Sequence, residues 1–357
     1  MHMADALISP TVGGTMWVAT AALTAYSVRK LNEDMDDSRT PLMGALGAFI
    51  FAAQMINFTI PFTGSSGHLG GGMILAILLG PYAGFITMAS VLTIQALFFA
   101  DGGFLALGCN AFNLGFFPCF IAYPLIYRRL AGTQRTTTRR SILVGSLVSA
   151  IVGLQLGAFG VVLETFFSGI SELPFTTFML LMQPIHLAIG VVEGLVTAAV
   201  VTFVWKARPE ILELSATSGP TGRIGIKGLL AGFLVVAVIA AGMLSWFASA
   251  NPDGLEWAMK QTSGKEELET PEKGLHQVLA SLQEKTAFLP DYSLKQPESG
   301  MPVNPGEAKS HGQDAEEGPW PAVSAGTSVA GLVGGALTLF MIGLIGFGLK
   351  RAGRGKR

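Results

Sequence analysis

The 357-residue sequence is short of the features that mark most soluble or secreted proteins. It has two cysteines, Cys109 and Cys119, both inside one apolar run, which excludes a disulfide framework and any CxxC-type metal site. Charge is scarce: 13% of residues are Asp, Glu, Lys or Arg, against roughly 25% in soluble domains. The formal net charge of −1 supplies no basic footprint, so no nucleic acid is expected as a partner. No P-loop or Walker sequence occurs. No repeat of 20–50 residues is visible. A basic region ahead of the first apolar run is also missing, and Asp5 stands before it, so a cleavable signal peptide is not expected and Met1 and His2 are expected to remain in the mature chain.

What the sequence has instead is apolar length. Half its residues are hydrophobic, the mean hydropathy is +0.52, and it carries 45 glycines, a composition suited to packed membrane helices. A crossing needs about 20 mostly apolar residues. Eight stretches qualify: Val12–Val28, Pro41–Ile60, Tyr82–Ala100, Phe104–Tyr127, Ser141–Leu163, Thr176–Trp205, Gly228–Ala248 and Ala325–Leu349. A shorter piece, Leu69–Leu79, stops at Gly80-Pro81 and reads as a half-length helix, tolerated in lipid where protein surrounds it. The expected fold is an all-α integral membrane protein with seven crossings in residues 1–205 and two more after them.

The basic residues orient this scheme. Seventeen of the 23 Lys and Arg side chains fall in four segments, 29–39, 128–140, 206–227 and 350–357, whereas the loops at 61–68, 101–103 and 164–175 have none. The positive-inside rule places the four basic segments and the C-terminus in the cytoplasm and the N-terminus outside. The expected organisation is a membrane unit at 1–205, a cytoplasmic linker at 206–227, and a second unit at 228–357. The second unit's two spans flank a polar extracytoplasmic insert at about 249–324. A short helix is expected in that insert near Glu266–Leu282.

The chain opens Met1-His2. In an N-terminal X-His sequence the α-amine, the deprotonated His2 amide and the His2 Nδ1 close fused five- and six-membered chelate rings. Such a nitrogen set suits Ni²⁺ or Cu²⁺ rather than Mg²⁺ or Ca²⁺. The best fourth nitrogen is His68, in the glycine-rich outward loop 61–72. Taken singly, each histidine reads more simply as a solvated terminus or a hydrogen-bonding loop residue.

Longer motifs sharpen this. MHMADALISP, FAAQMINFTIPFTGSSGHLGGG, LLGPYAGF and IQALFFADGGFLALGCNAFNLG resemble the CbiM/NikM family, the substrate-capture component of energy-coupling-factor cobalt and nickel transporters. The resemblance covers about residues 1–205. It implies a transported Ni²⁺ or Co²⁺ held by the Met1 amine, the His2 amide and imidazole, and the His68 imidazole, with no tightly held cofactor and no catalysis. It implies a membrane scaffold subunit and two ATPase subunits as partners, in a prokaryotic cytoplasmic membrane. Met3-Ala4-Asp5-Ala6-Leu7 replaces the family's frequent Ile-Pro-Asp-Gly-Phe. Further on, Asn251-Pro252-Asp253-Gly254-Leu255-Glu256-Trp257 and Phe288–Tyr292 resemble the PDGLE-type companion subunit, here fused to the capture unit. His276 and His311 in this part are isolated and read as solvent-exposed.

Polar groups at membrane depth are costly and each needs a reason. Asn57, Gln95, Asp101, Asn110 and Asn113 are candidates to orient the imidazoles from behind, Asp101 foremost; interhelical hydrogen bonding is the simpler reading for any one of them. His186 and Glu193, seven apart on one helix, read as a second metal or proton site or, more simply, as a buried structural pair. Gly44, Ala48 and Ala52 form a small-residue stripe, for scaffold docking or for internal packing. Two rival functions remain. Gly64-Ser65-Ser66-Gly67 matches the GxSG of rhomboid-type intramembrane serine proteases, with His186 as base. A stand-alone cation transporter is the other, but it would need ion-pathway carboxylates on several helices.

Overall fold

The computed structural model describes residues 2–34, 39–132, 137–212, 226–271, 273–294 and 320–354. Eleven helices carry the fold among them: α1 (Pro10–Asp34), α2 (Arg39–Gln54), α3 (Gly72–Leu79), α4 (Pro81–Phe99), α5 (Leu107–Leu130), α6 (Arg139–Ser168), α7 (Phe175–Ala207), α8 (Lys227–Gly242), α9 (Gly254–Ser263), α10 (Leu275–Thr286) and α11 (Ala325–Arg354). Five of these, α4, α5, α6, α7 and α11, are long and apolar enough to cross a membrane, and α8 is a shorter apolar helix. The protein is a mostly helical, multi-pass membrane protein.

The half-length helix lies within the expected Leu69–Leu79 stretch but begins at Gly72. α3 is wholly buried and spans about 12 Å at 1.5 Å per residue. Gly80, at φ 82°, ends it, and Pro81 begins α4 at a position where its missing N–H costs nothing. α5 runs as a π-helix over Phe112–Tyr127, with Pro118 and Pro124 inside it; each proline removes one N–H from the ladder.

Two local expectations are corrected. The apolar stretch expected to run as far as Ile60 stops being helical at Gln54. Phe58–Ile60 (β1) and Ser65–Gly67 (β2) then pair antiparallel as a three-residue hairpin. The insert's helices are α9 and α10, not one helix over Glu266–Leu282. Asp253 caps α9, its Oδ1 accepting from the Leu255 and Glu256 amides at 2.7 and 2.9 Å, while Glu256 reaches back to the Asp253 amide at 2.8 Å. This capping box is what the Asp-Gly-Leu-Glu spacing produces.

The small-residue stripe of α2 packs internally. Gly44 faces Leu339 and Ile342 of α11, and Ala48 faces Gly335. At Gly334 a Cβ would lie 1.9 Å from the Phe51 ring, so only hydrogen fits there. α8 also lies against α2, with Phe233 and Phe49 rings 5.4 Å apart. The second unit is thus packed onto the first, and the docking reading of Gly44, Ala48 and Ala52 gives way to packing against α11.

Candidate metal-capture site

His2 follows Met1, which, with the amine expected as a ligand, lies outside the described residues. The segment after it is fixed by main-chain hydrogen bonds. Asn110 of α5 clamps Met3 from both sides, Oδ1 accepting from the Met3 amide at 2.8 Å and Nδ2 donating to its carbonyl at 3.1 Å. The Gly103 amide donates to the same carbonyl at 3.0 Å. Buried Asp5 accepts from the Ala106 amide at 2.9 Å and lies against Gly103, where a Cβ would be 1.9 Å from the carboxylate oxygen. Burial raises the Asp5 carboxyl above its usual range. A 3₁₀ turn over Asp5–Leu7 thus forms without the Pro-Gly pair.

The two histidines meet. The His2 and His68 rings stack with centroids 5.0 Å apart and planes inclined by 14°. His2 Nδ1 lies 2.9 Å from Asp101 Oδ1, and its side chain is 8% exposed. Its Nε2 is buried without a hydrogen-bond partner. His68 Nδ1 lies 3.1 Å from the Leu69 carbonyl, which can only accept, so Nδ1 carries the proton and Nε2 the lone pair. Burial pushes the His68 imidazole down to about 3, which keeps it neutral and able to bind a cation at ordinary pH.

Asp101 is itself supported. Burial raises its carboxyl, but the His2 imidazole and the hydroxyl of Tyr292 outweigh that cost and hold it below the usual carboxylate range. The Tyr292 hydroxyl donates to Asp101 Oδ2, and its ring stacks on that of Phe99 with centroids 5.0 Å apart. Gln95 stands one step further out, Nε2 donating to the Tyr292 oxygen at 3.2 Å and to Gln54 Oε1 at 2.9 Å. The Asn57 backbone carbonyl accepts from the Ser249 amide at 2.8 Å, a bond to the start of the insert. Asn113 bonds Glu164 Oε2 at 2.7 Å, away from this group.

Two anchors shape the loop that carries His68. From α7, Glu193 accepts from the Gly70 and Gly71 amides at 2.8 and 3.1 Å, so it pairs with this loop and not with His186. Gly71 sits at φ +79°, a left-handed conformation open to glycine. From the insert, the PDGLE turn attaches to β2. The Ser66 amide donates to the Pro252 carbonyl at 2.8 Å, the Ser66 hydroxyl to the Asn251 carbonyl at 2.7 Å, and Trp257 Nε1 to the Thr63 carbonyl at 2.9 Å.

Sequence reasoning missed the insert's contribution. Asp253 Oδ2 lies 3.9 Å from His68 Nε2. Gln283 of α10 donates to the Gly102 carbonyl at 2.8 Å. His276, expected at the surface, is buried, with Nε2 at 2.8 Å from the Ile8 carbonyl. The signal was present in part: Asp-Gly-Leu-Glu marks a helix start, but nothing in it says which loop that start abuts. His311 lies outside the described residues.

The chain is a helical membrane bundle in which two histidines distant in the sequence stack on one another beside the PDGLE turn. The sequence matches the family described as cobalt uptake substrate-specific transmembrane region over residues 2–211, and the PDGLE domain over 227–351. The chain belongs to this CbiM family and carries a fused PDGLE domain. It is 35% identical to a putative fused nickel transport protein NikMN of Archaeoglobus fulgidus, covering 65% of this chain and 74% of that one. It is 29% identical to the fused nickel transport protein NikMN of Rhodobacter capsulatus, covering 82% and 88% respectively. Among solved structures, a truncated transition metal transporter is similar with a TM-score of 0.51 at 30% identity, covering 58% of this chain and 99% of that one.

Proposed function

We propose that this protein is the substrate-capture membrane component of an energy-coupling-factor transporter that imports Ni²⁺ or Co²⁺ across a prokaryotic cytoplasmic membrane. The ion is chelated on the outer side by the Met1 amine, the His2 amide and imidazole, and the His68 imidazole. A membrane scaffold subunit and two ATPase subunits drive its release inward, and the chain itself catalyses no reaction. The observation that carries this reading is the stacking of His2 on His68, brought together from distant parts of the sequence, with a carboxylate or a carbonyl behind each Nδ1.

In the described geometry Nδ1 of His2 faces Asp101. Closing a six-membered ring with its own amide requires a half-turn about Cβ–Cγ. That turn exchanges Nδ1 with Cδ2 and carries Nε2 to the place of Cε1, on the Asp101 side. The same carboxylate then holds the ring through Nε2–H, an arrangement common behind metal-bound imidazoles. Chelation removes the protons of the amine and the amide, so capture releases protons.

The protease reading is disfavoured by Ser66, which is fully buried and donates its hydroxyl proton to main-chain carbonyls of the PDGLE turn, while His186 Nδ1 faces the Met182 carbonyl. Equilibrium Ni²⁺ binding to the purified full chain tests the proposal. Wild type is compared with His68→Ala and with a chain carrying one extra residue before Met1, which keeps every side chain but displaces the amine. Both changes are expected to cost more than the roughly 10–100-fold typical of altering a group behind a ligand. Unchanged affinity in the extended chain refutes the chelate.

A further inference from the structure

Carbonyls on both sides of the His2 segment are satisfied by one helix of the fused domain. α10 carries His276 and Gln283 two turns apart on one face. His276 is 4% exposed, and its Nε2 lies 2.8 Å from the Ile8 carbonyl, which only accepts, so Nε2 bears the proton. Gln283 Nε2 donates to the Ala96 carbonyl at 3.0 Å and to the Gly102 carbonyl at 2.8 Å, using both of its protons.

Both Gln283 acceptors flank Asp101. Ala100 closes α4 at φ +55°, a left-handed conformation that crowds any side chain. The Ala100 and Asp101 amides both turn back to the Gln95 carbonyl, so the Ala96 carbonyl is bypassed by its own helix and Gln283 takes it. Strain of this kind persists where surrounding contacts fix it, and it gathers at ligand clamps. The Gly102 carbonyl shares its peptide group with the Gly103 amide, which donates to the Met3 carbonyl at 3.0 Å. One peptide group therefore joins Gln283 to the residue that follows His2. Hydrogen bonds linked in this way polarise and strengthen one another.

Resting on the capture site proposed above, we propose that Gln283 is a positioning residue for metal capture. It acts through the Gly102–Gly103 peptide on Met3, and through the Ala100 bend on Asp101, the carboxylate that faces His2 at 2.9 Å. His276 pins the far end of the same segment at Ile8. By this route α10 sets the His2 arm before an ion arrives. The PDGLE turn, by contrast, holds the His68 loop through Ser66. The fused domain thus steadies each half of the site through a different element. A chain in which only a fraction of molecules hold His2 in place binds with its affinity reduced by that fraction.

The test uses the purified full-length chain in detergent. Gln283→Met keeps the length of the side chain and removes both donors, whereas Gln283→Lys supplies donors again at similar reach. Hydrogen exchange of the Gly103 amide is measured without metal, and Ni²⁺ affinity by titration. In Gln283→Met the Gly103 amide is expected to exchange about tenfold faster, while the Ser66 amide stays within about twofold of wild type. Ni²⁺ affinity is expected to fall by about tenfold in the same variant. Gln283→Lys is expected to bring both values back to within about threefold of wild type. His276→Phe, which removes the donor to Ile8, takes the place of Gln283→Met should the latter fail to elute as a single species, with the same pattern expected. An unchanged Gly103 amide, equal acceleration at Gly103 and Ser66, or faster Gly103 exchange with unchanged Ni²⁺ affinity overturns the proposal, as does no recovery in Gln283→Lys. Should one residue added before Met1 leave tight Ni²⁺ binding intact, the chelate reading fails on its own. Exchange at Gly103 then decides alone: acceleration in Gln283→Met sustains the link from α10 to Met3, and no acceleration overturns it.

Discussion

Glu193→Gln isolates the anchor that holds the His68 loop from within the membrane unit. The carboxylate accepts from two successive amides, Gly70 at 2.8 Å and Gly71 at 3.1 Å, one to each oxygen. Glutamine has nearly the same shape but offers one acceptor. One amide keeps a neutral hydrogen bond and the other confronts an NH₂ group. A hydrogen bond to a charged group contributes about 1.5–3 kcal/mol and a neutral one about 1, so losing one and weakening the other costs about 2–5 kcal/mol. That cost falls on the loop rather than on the bundle, because both donors lie within three residues of His68. If half of it is recovered by letting the loop open, ordering the loop for capture weakens Ni²⁺ binding by about 1–2.5 kcal/mol, or roughly five- to sixtyfold. Titration calorimetry on purified protein reads this directly, with the thermal transition as control for folding. Glu193→Gln with a dissociation constant within twofold of wild type, in a folded chain, would show that these two bonds do not govern the site.

Four further outcomes follow from the same geometry. Tyr292→Phe removes the hydroxyl that donates to Asp101 and is expected to weaken Ni²⁺ binding by about tenfold, measured by the same titration, while leaving the stacked ring on Phe99 in place. Gly334→Leu forces a side chain into Phe51 and is expected to destabilise the packing of α11 on α2 by about 1–3 kcal/mol, read as a lowered thermal transition. Without metal, burial holds His68 at about 3 in the folded state against about 6.5 unfolded, so between those values the unfolded chain binds the extra proton. The metal-free protein is therefore expected to lose stability as pH falls from 6.5 towards 3, and His68→Gln to flatten that slope in pH-dependent unfolding. Ser66→Ala is expected to keep metal uptake, in contrast to the loss of activity that a serine nucleophile would show.

Much of this arrangement is legible in the linear sequence, for reasons that are local. Gly80-Pro81 both ends α3 and starts α4, so the length of Leu69–Leu79 alone reveals a half helix. The identity of His2 and His68 as a pair rests on the charge pattern that puts both at one membrane face. The rest depends on long-range packing. Asp253 announces a helix cap, yet its nearness to His68 arises only when the PDGLE turn pairs with β2. An isolated histidine in a polar insert reads as solvated, but His276 is buried because α10 folds back over the first turn of the chain. Phe58–Gly67 contains Pro61 and the small polar run Thr63-Gly64-Ser65-Ser66, which mask a hairpin of three-residue strands. The stripe at Gly44, Ala48 and Ala52 showed that a helix approaches, without naming α11 as that helix.

The His68 loop is clamped from two sides, by Glu193 from the capture unit and by the PDGLE turn from its fused companion, and the second clamp can be measured separately from the first. The Ser66 amide donates to Pro252 across this boundary, so its hydrogen exchange reports whether the turn is seated. Trp257→Phe keeps the aromatic bulk but removes the Nε1 donor that binds the Thr63 carbonyl. Losing that bond costs about 1 kcal/mol. If the turn opens as a unit, the open fraction and with it the exchange rate of the Ser66 amide rise about fivefold. The Gly70 and Gly71 amides, held by Glu193, are expected to keep their protection, whereas Glu193→Gln exposes those two and spares Ser66. Equal acceleration at all three amides in both variants would mean that the loop moves as one piece. The companion domain would then have no control of its own over access to His68.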